Sequence, residues 1–201
     1  RAQRFDSFTL DAFAKSLVDR FRLSLPEEWC PNADYEVMDR SPQVSQIRAW
    51  LENAGSPTGH CGTDIRHLSD DEIKRTFESF TYGWRLPYDS PDVDPLDAHL
   101  GRLWWQEQLN KSQGQESLTF PMLNRLAAYL LRKNPKLTQA LRTTYTHVFL
   151  DEFQDTTVSQ YDLVRAAFFG SETVLTAVGD SKQRIMVWAG AMTEVFDVYT
   201  K

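Results

Sequence analysis

The strongest constraint on the fold is a pair of apolar runs that each end at acidic residues. The first run is His147–Leu150, followed by residues 151–155, and the second is 173–178, followed by 179–183. Between them, residues 158–169 have the apolar spacing of a helix. We predict strand, helix, strand, with both strands buried inside an α/β sheet. Right-handed crossovers make such strands parallel, so both acidic ends meet at one sheet edge, where open α/β sheets bind ligands.

The residues at this edge have the chemistry of metal-assisted phosphoryl transfer. Mg²⁺ keeps several waters and takes one or two protein carboxylates, and Asp151 is the candidate for that carboxylate. Glu152 is the candidate base that orients or deprotonates an attacking water. The neutral amide of Gln183 can donate to a terminal phosphate oxygen and accept from water. Together these residues predict nucleotide hydrolysis.

The motifs around these candidates resemble a known family. Asp-Glu-Phe-Gln-Asp-Thr at 151–156, with Gln160, and Val-Gly-Asp-x-x-Gln-x-Ile-x-x-Trp-x-Gly-Ala at 178–191 resemble the UvrD/Rep type of superfamily 1 DNA helicases. The resemblance implies a motor domain in which the first motif serves magnesium and hydrolysis, and the second couples the γ-phosphate to single-stranded DNA. It therefore implies ATP and Mg²⁺ as cofactors and single-stranded or partially duplex DNA as the partner.

The resemblance also implies roles for single residues of the ATP site. By position, Asp151 is the magnesium carboxylate and Glu152 the catalytic base. Gln183 is the γ-phosphate contact with a catalytic role, and Asp180 beside it belongs to the same nucleotide-binding segment.

Implied DNA contacts lie at both ends of the sequence. Trp188 stands where the family has a base-stacking platform, and the segment with Thr9 and Asp11 resembles the family's Thr-Phe-His-Ser-Leu segment beside the DNA path. Asp11 replaces a histidine that is common there. Met186 and Ala189 also depart from the family, which usually has an aromatic residue and an arginine at these positions.

The N-terminal segment has a second interpretation, from spacing alone. Leu10, Phe13, Leu17 and Phe21 lie on one face of a helix, which predicts an amphipathic helix packed against a core. Both interpretations are compatible, because the N-terminus of a buried helix can also contact phosphates.

Charge and cysteine content limit the class of protein. A net charge of -6 argues against a uniformly basic nucleic-acid binder, so DNA contacts are expected to be local. Cys30 and Cys61 are interpreted as reduced thiols of a cytoplasmic protein. A zinc site with His60, Cys61 and His67 lacks the usual ligand spacing. With no signal peptide or membrane-spanning run, we expect a cytoplasmic monomer without a membrane partner.

The predicted organisation is a partial RecA-like parallel sheet of the P-loop NTPase type with a helical insertion. Residues 1–25 and 135–201 are assigned to the RecA-like domain, and residues 26–134, which are interrupted by Pro, Gly and Ser, to the inserted subdomain. Helices are predicted at 44–54, from a capping box at Ser69 and Glu72 towards 82, at 96–110 and at 120–133. The tryptophans at 29, 50, 84, 104 and 105 are interpreted as core residues.

One expected element is missing from the sequence. It contains no Gly-x-x-x-x-Gly-Lys-Ser/Thr loop, although an ATPase with an Asp-Glu motif needs this loop to hold the phosphates. We therefore expect a fragment of a longer protein that does not hydrolyse ATP alone.

Two other function classes stay open. A metal-dependent nuclease would use Asp151, Glu152, Asp155 and Asp180 as ligands and would cleave DNA without a nucleotide. A non-catalytic DNA- or protein-binding module that keeps the motor fold is favoured by the two departures near the end of the second motif.

Overall fold

The computed structural model describes residues 5–38, 44–53, 67–73, 104–109, 116–187 and 190–199. The α-helices are α1 (Leu10–Phe21), α2 (Val44–Asn53), α3 (Phe120–Lys133), α4 (Pro135–Thr144), α5 (Val158–Phe168) and α6 (Val195–Tyr199). The strands are β1 (Glu36–Met38), β2 (Ser117–Thr119), β3 (His147–Leu150) and β4 (Val174–Ala177). Residues 70–73 and 104–109 are also helical. The fold of the described residues is therefore a mixed α/β fold with two small parallel sheets.

The chain divides into two compact units. The first contains Arg1–Ser24 and Leu123–Lys201, and the second contains Leu25–Met122. This division places its second boundary inside α3. The assignment of residues 26–134 to an inserted subdomain stays a prediction.

The second unit is built around tryptophans. Trp104 is buried with Ile47 and Ile73, and Trp50 packs against this cluster with its ring edge-on to Trp104 at 5.3 Å. Trp105 is buried and meets Trp29 at 5.6 Å, also edge-on. The sequence interpretation of these tryptophans as core residues is confirmed, while Trp84 lies outside the described residues.

The second unit also contains a sheet that the sequence analysis did not predict. β1 and β2 pair in parallel, with Glu36 opposite Ser117 and Met38 opposite Thr119. Asn32 joins the same region, because its backbone and side-chain nitrogens donate to the two carboxylate oxygens of Glu116 at 2.6 and 2.8 Å.

In the first unit, the buried face of α1 overlaps the predicted one but is shifted around the helix. Ala14, Leu17 and Val18 are buried, whereas Leu10, Phe13 and Phe21 are only partly buried. The prediction of an amphipathic helix is confirmed. The buried face is centred on Ala14, Leu17 and Val18, because Leu10 and Phe21 are the first and last residues of the helix.

A charged cluster joins α3 to α5. Arg125, whose side chain is 3% exposed, donates to Asp162 at 2.9 Å, and Arg132 donates to the other oxygen of the same carboxylate at 2.6 Å. A buried guanidinium needs such a partner, since an uncompensated charge in the interior is strongly destabilising. Asp162 therefore fixes the position of α5 against α3.

β3 and β4 are parallel neighbours, as predicted, with His147 opposite Val174 and Leu150 opposite Ala177. The expectation that both strands are buried is wrong. Along β3, exposed and inward-facing residues alternate, and Phe149 is 67% exposed. The described residues cover one face of this two-stranded sheet, so side chains on the other face reach solvent.

Local signals determine where α5 begins and ends. At its start, Thr157 accepts a hydrogen bond from the Gln160 backbone and Gln160 returns one to the Thr157 backbone, which forms a capping box. At its end, the Arg142 guanidinium donates to the carbonyls of Ala167 and Phe169 at 2.7 and 3.2 Å. These contacts position the helix that connects the two acidic motifs.

Candidate functional site

The two motifs begin side by side at the carboxyl ends of β3 and β4. The Val178 N–H donates to the Leu150 carbonyl at 2.8 Å, and the Phe153 N–H then donates to the Val178 carbonyl at 2.9 Å. Backbone pairing thus continues past the ends of both strands. It brings the turn with Asp151 and Glu152 next to the turn that begins at Gly179.

Asp151 and Glu152 both have exposed side chains at this edge. One Asp151 carboxylate oxygen accepts the Glu152 N–H at 3.0 Å. Glu152 has φ 49° and ψ 38°, and among the described residues it is the one non-glycine residue with positive φ. A left-handed glutamate is uncommon, and backbone strain of this kind concentrates at functional sites. The turn therefore holds two carboxylates in a defined arrangement facing solvent.

Gln154 is a site residue to which the sequence analysis assigned no role. Its side chain is 1% exposed, its Nε2 donates to Glu152 at 2.5 Å, and its Oε1 accepts the Asp180 N–H at 3.1 Å. Gly179 makes room for this amide, because a Cβ at that position would collide with the Gln154 Oε1. Gln154 is the fourth residue of the first motif, but the sequence alone does not indicate that its side chain bonds Glu152 and the Asp180 backbone.

Asp155 makes the next link between the motifs. Its Oδ1 accepts the backbone N–H groups of Ile185 and Met186 at 3.2 and 3.1 Å. Further along, the Met192 N–H donates to the Thr156 carbonyl at 2.9 Å. The second motif and Met192, the residue that follows it, are thus bonded to the first motif at two places.

Gln183 and Asp180 form a closed turn at the end of β4. The Asp180 carboxylate accepts the Lys182 N–H at 2.9 Å with one oxygen and the Gln183 side-chain amide at 3.0 Å with the other. Both side chains are exposed. The amide of Gln183 therefore lies in the turn after β4, where its bond to Asp180 holds it, and its contact with a phosphate stays a prediction.

The structure describes some of the predicted DNA-contact residues and not others. Trp188 and Ala189 lie outside the described residues. Ile185, which precedes them, is 73% exposed. Thr9 caps α1 by accepting the Ala12 N–H at 3.1 Å. A DNA contact by Thr9 or Trp188 stays a prediction.

Asp11 is engaged within the protein. Its Oδ1 accepts from the side-chain amides of Asn124 at 2.8 Å and Gln160 at 3.1 Å. Gln160 also belongs to the capping box of α5. This carboxylate consequently connects the first turn of α1 to the helix that follows the first motif, and its contact with DNA also stays a prediction.

The four carboxylates of the nuclease alternative have separate hydrogen-bond partners. Asp151 accepts the Glu152 N–H, and the Glu152 carboxylate accepts from Gln154. Asp155 accepts from backbone amides, and Asp180 accepts within its own turn. Among the residues that the structure describes, no group of three or more His, Cys, Asp or Glu side chains lies close enough together to hold a metal ion. For the zinc alternative, His60 and Cys61 lie outside the described residues.

Fold and site together define an α/β protein with a polar ligand edge at the carboxyl ends of neighbouring parallel strands. The family described as UvrD/REP helicase N-terminal domain matches residues 3–201. The chain belongs to this family, as its motifs suggested.

The chain is similar to several proteins that are named as DNA helicases. The chain is similar to the "Probable DNA helicase II homolog" of Mycoplasma capricolum, with 33% identity over 193 residues, which cover 81% of this chain and 27% of the relative. It is also similar to the ATP-dependent DNA helicase Rep of Escherichia coli, with 38% identity over 74 residues, 37% of this chain and 11% of Rep. The ATP-dependent DNA helicase PcrA of Staphylococcus aureus is 34% identical over 89 residues, 43% of this chain and 11% of PcrA.

The chain thus spans about a quarter or less of the length of these relatives. In the described parts of the chain, no helix has both the length and the apolar character needed to cross a membrane.

Proposed function

We propose that this chain is part of the first motor domain of a UvrD/Rep-type DNA helicase or translocase, which couples ATP hydrolysis to movement on single-stranded DNA. The observation that carries the proposal is the adjacency of the two motifs. The turn of Asp151 and Glu152 follows β3, the turn of Asp180 and Gln183 follows the parallel neighbour β4, and backbone hydrogen bonds join the strand ends. Nucleotide sites of open α/β sheets have this placement.

In this proposal the two-stranded sheet of β3 and β4 belongs to a larger RecA-like sheet. Residues 1–25 and 135–201 supply the part of that domain present here, and residues 26–134 form the inserted subdomain. The exposed outer face of β3, with Phe149, supports a sheet whose second face is covered in the longer protein.

Asp151 would hold the magnesium ion. It offers exposed, hard carboxylate oxygens at the strand end, and a single carboxylate suits an ion that keeps most of its waters. When bound, Mg²⁺ would neutralise charge that develops on the transferring phosphate. The donor set of this edge therefore fits the cofactor that the family implies.

Glu152 would orient the attacking water and accept its proton. Its carboxylate is exposed at the edge and is fixed from behind by Gln154, so one oxygen stays available to water. Gln183 would donate to the γ-phosphate by exchanging its bond to Asp180 for a bond to the nucleotide. Movement of Gln183 would then reach Trp188, five residues later, where a DNA base would stack.

The isolated chain would bind ATP weakly and would not turn it over. Its sequence contains no phosphate-binding loop, and the backbone N–H groups of such a loop donate most of the hydrogen bonds that bind the phosphates.

The test uses the full-length protein. Glu152→Gln removes the base but keeps the shape, so DNA-stimulated ATP hydrolysis should fall by about a hundredfold or more while ATP affinity stays within about threefold. Glu172→Gln is the matched control, because Glu172 is an exposed carboxylate of the same unit, placed ahead of β4. Hydrolysis by the Glu152 variant within about tenfold of wild type would contradict the proposal. ATP-independent cleavage of DNA would favour the nuclease, and binding of DNA without any hydrolysis by wild type would favour the non-catalytic module.

A further inference from the structure

We propose that Gln154 is a positioning residue that sets the orientation of Glu152 and ties it to the backbone of the second motif. The inference rests on the proposed function, in which Glu152 is the hydrolytic base. Among the described residues, the Gln154 side chain bonds both motifs at once, with Nε2 on the Glu152 carboxylate and Oε1 on the Asp180 N–H.

The chemistry of the site requires an amide at this position. The planar group offers a donor on one side and an acceptor on the other, which match a carboxylate and an N–H. A carboxylate would have no proton for Glu152, and an apolar side chain would leave the Asp180 N–H without this acceptor. Because Gln154 is buried, water cannot readily replace either bond.

Neighbouring residues hold the amide in place. Phe153, also buried, packs its ring against Phe196 at 5.4 Å and Tyr199 at 5.2 Å, which anchors the backbone beside Gln154. Gly179 lies against the Gln154 oxygen with no room for a Cβ. The side chain consequently has little freedom to rotate away from its two partners.

These bonds form a short chain of contacts from Gln183, which would contact the phosphate, to Glu152, which would serve hydrolysis. Gln183 closes a turn on Asp180, and the Asp180 N–H is bonded to Gln154, which in turn holds Glu152. Rearrangement of the Asp180 turn, as when Gln183 moves to a phosphate, therefore acts on the orientation of the base.

Two substitutions in the full-length protein test this role. Gln154→Met keeps the volume but removes both bonds, and kcat should fall by about tenfold or more with KM for ATP within about threefold, because the base is misoriented while the nucleotide contacts remain. Gln154→Glu replaces the amide donor with a second carboxylate that repels Glu152, so kcat should fall at least as far as in Gln154→Met while KM for ATP stays within about threefold.

Controls separate positioning from folding. Gln139→Glu is the matched charge control, because Gln139 is exposed on α4, and its kcat and KM should match wild type. Melting temperatures identify variants that fail to fold. If Gln154→Met does not fold, Gly179→Ala, whose Cβ displaces the Gln154 oxygen, should lower kcat in the same way.

The outcomes distinguish this inference from the proposed function. If Glu152→Gln abolishes hydrolysis but folded Gln154 variants keep wild-type kcat, the positioning role is wrong and the proposed function stands. If Glu152→Gln itself hydrolyses normally, the proposed function fails first. A lowered kcat with KM for ATP and Tm near their wild-type values supports the positioning role, since a purely structural residue would lower stability as well.

Discussion

Asp155 holds the segment of the second motif at residues 185–186, and its removal should loosen that segment measurably. Its Oδ1 accepts two backbone N–H groups, from Ile185 and Met186, at 3.2 and 3.1 Å. A hydrogen bond to a charged group contributes about 1.5 to 3 kcal/mol when well shielded. Asp155 is half-buried, so water replaces part of each bond and about 1 kcal/mol per bond is a reasonable value. Asp155→Ala should therefore destabilise the chain by about 2 kcal/mol.

Thermal unfolding of the 201-residue chain measures this effect. For a chain of this size, about 2 kcal/mol corresponds to a fall in Tm of about 4 to 8 °C. Asp155→Asn keeps an acceptor oxygen without the charge and should lose about half as much. Glu172→Ala, which removes an exposed carboxylate, is the control and should leave Tm within about 1 °C.

Functional data on the same variant complete the test. In the full-length protein, Asp155→Ala should weaken the stimulation of ATP hydrolysis by single-stranded DNA more than it weakens hydrolysis without DNA, because the loosened segment leads to Trp188. An unchanged Tm for Asp155→Ala, equal to that of the control, would refute the claim that these two hydrogen bonds hold the segment.

Two further predictions concern the core and the DNA contact. Asp162→Ala should lower the free energy of unfolding by about 3 kcal/mol, because it removes the partner shared by Arg125 and Arg132 in a largely buried site. Asp19→Ala, which breaks an exposed ion pair, is the control and should lower it by less than about 1 kcal/mol in chemical denaturation. Equal losses for the two variants would contradict the role of burial. Trp188→Ala in the full-length protein should weaken single-strand DNA affinity by about 1 to 3 kcal/mol at an unchanged Tm, as expected for loss of one base stack. A large fall in Tm for this variant, together with wild-type Trp188 fluorescence that DNA does not quench, would assign the residue to the core.

Features encoded by neighbouring residues could be predicted from the sequence. The bounds of β3 and α3 match the predicted ranges, because an apolar run ended by acidic residues and a helical apolar period are local signals. The capping box at Ser69 and Glu72 also forms, with hydrogen bonds of 2.9 and 3.3 Å between residues three apart. The sequence analysis did not place α4, although Pro135 at its first turn was a usable signal.

Features that depend on distant residues could not be predicted. β1 and β2 have three residues each and lie far apart in the sequence, so neither shows a detectable period. Exposure of Phe149 depends on what covers the sheet, which the strand's own residues do not encode. The role of Gln154 depends on the close approach of Gly179 and Asp180, which only the paired strand ends bring about. Motif spacing indicated the site, and tertiary contacts determined how its residues are connected.

The central claim is that the residues after β3 and after β4 serve one reaction. A double-mutant cycle on ATP hydrolysis tests it directly, with Glu152→Gln, Gln183→Ala and the double variant in the full-length protein, measured in single turnovers with single-stranded DNA present. Residues that act as a unit in one transition state show strongly non-additive effects. We predict that the double variant hydrolyses ATP within about threefold of the slower single variant. A double variant slowed by the product of the two single effects would contradict the claim, because the two residues would then act independently.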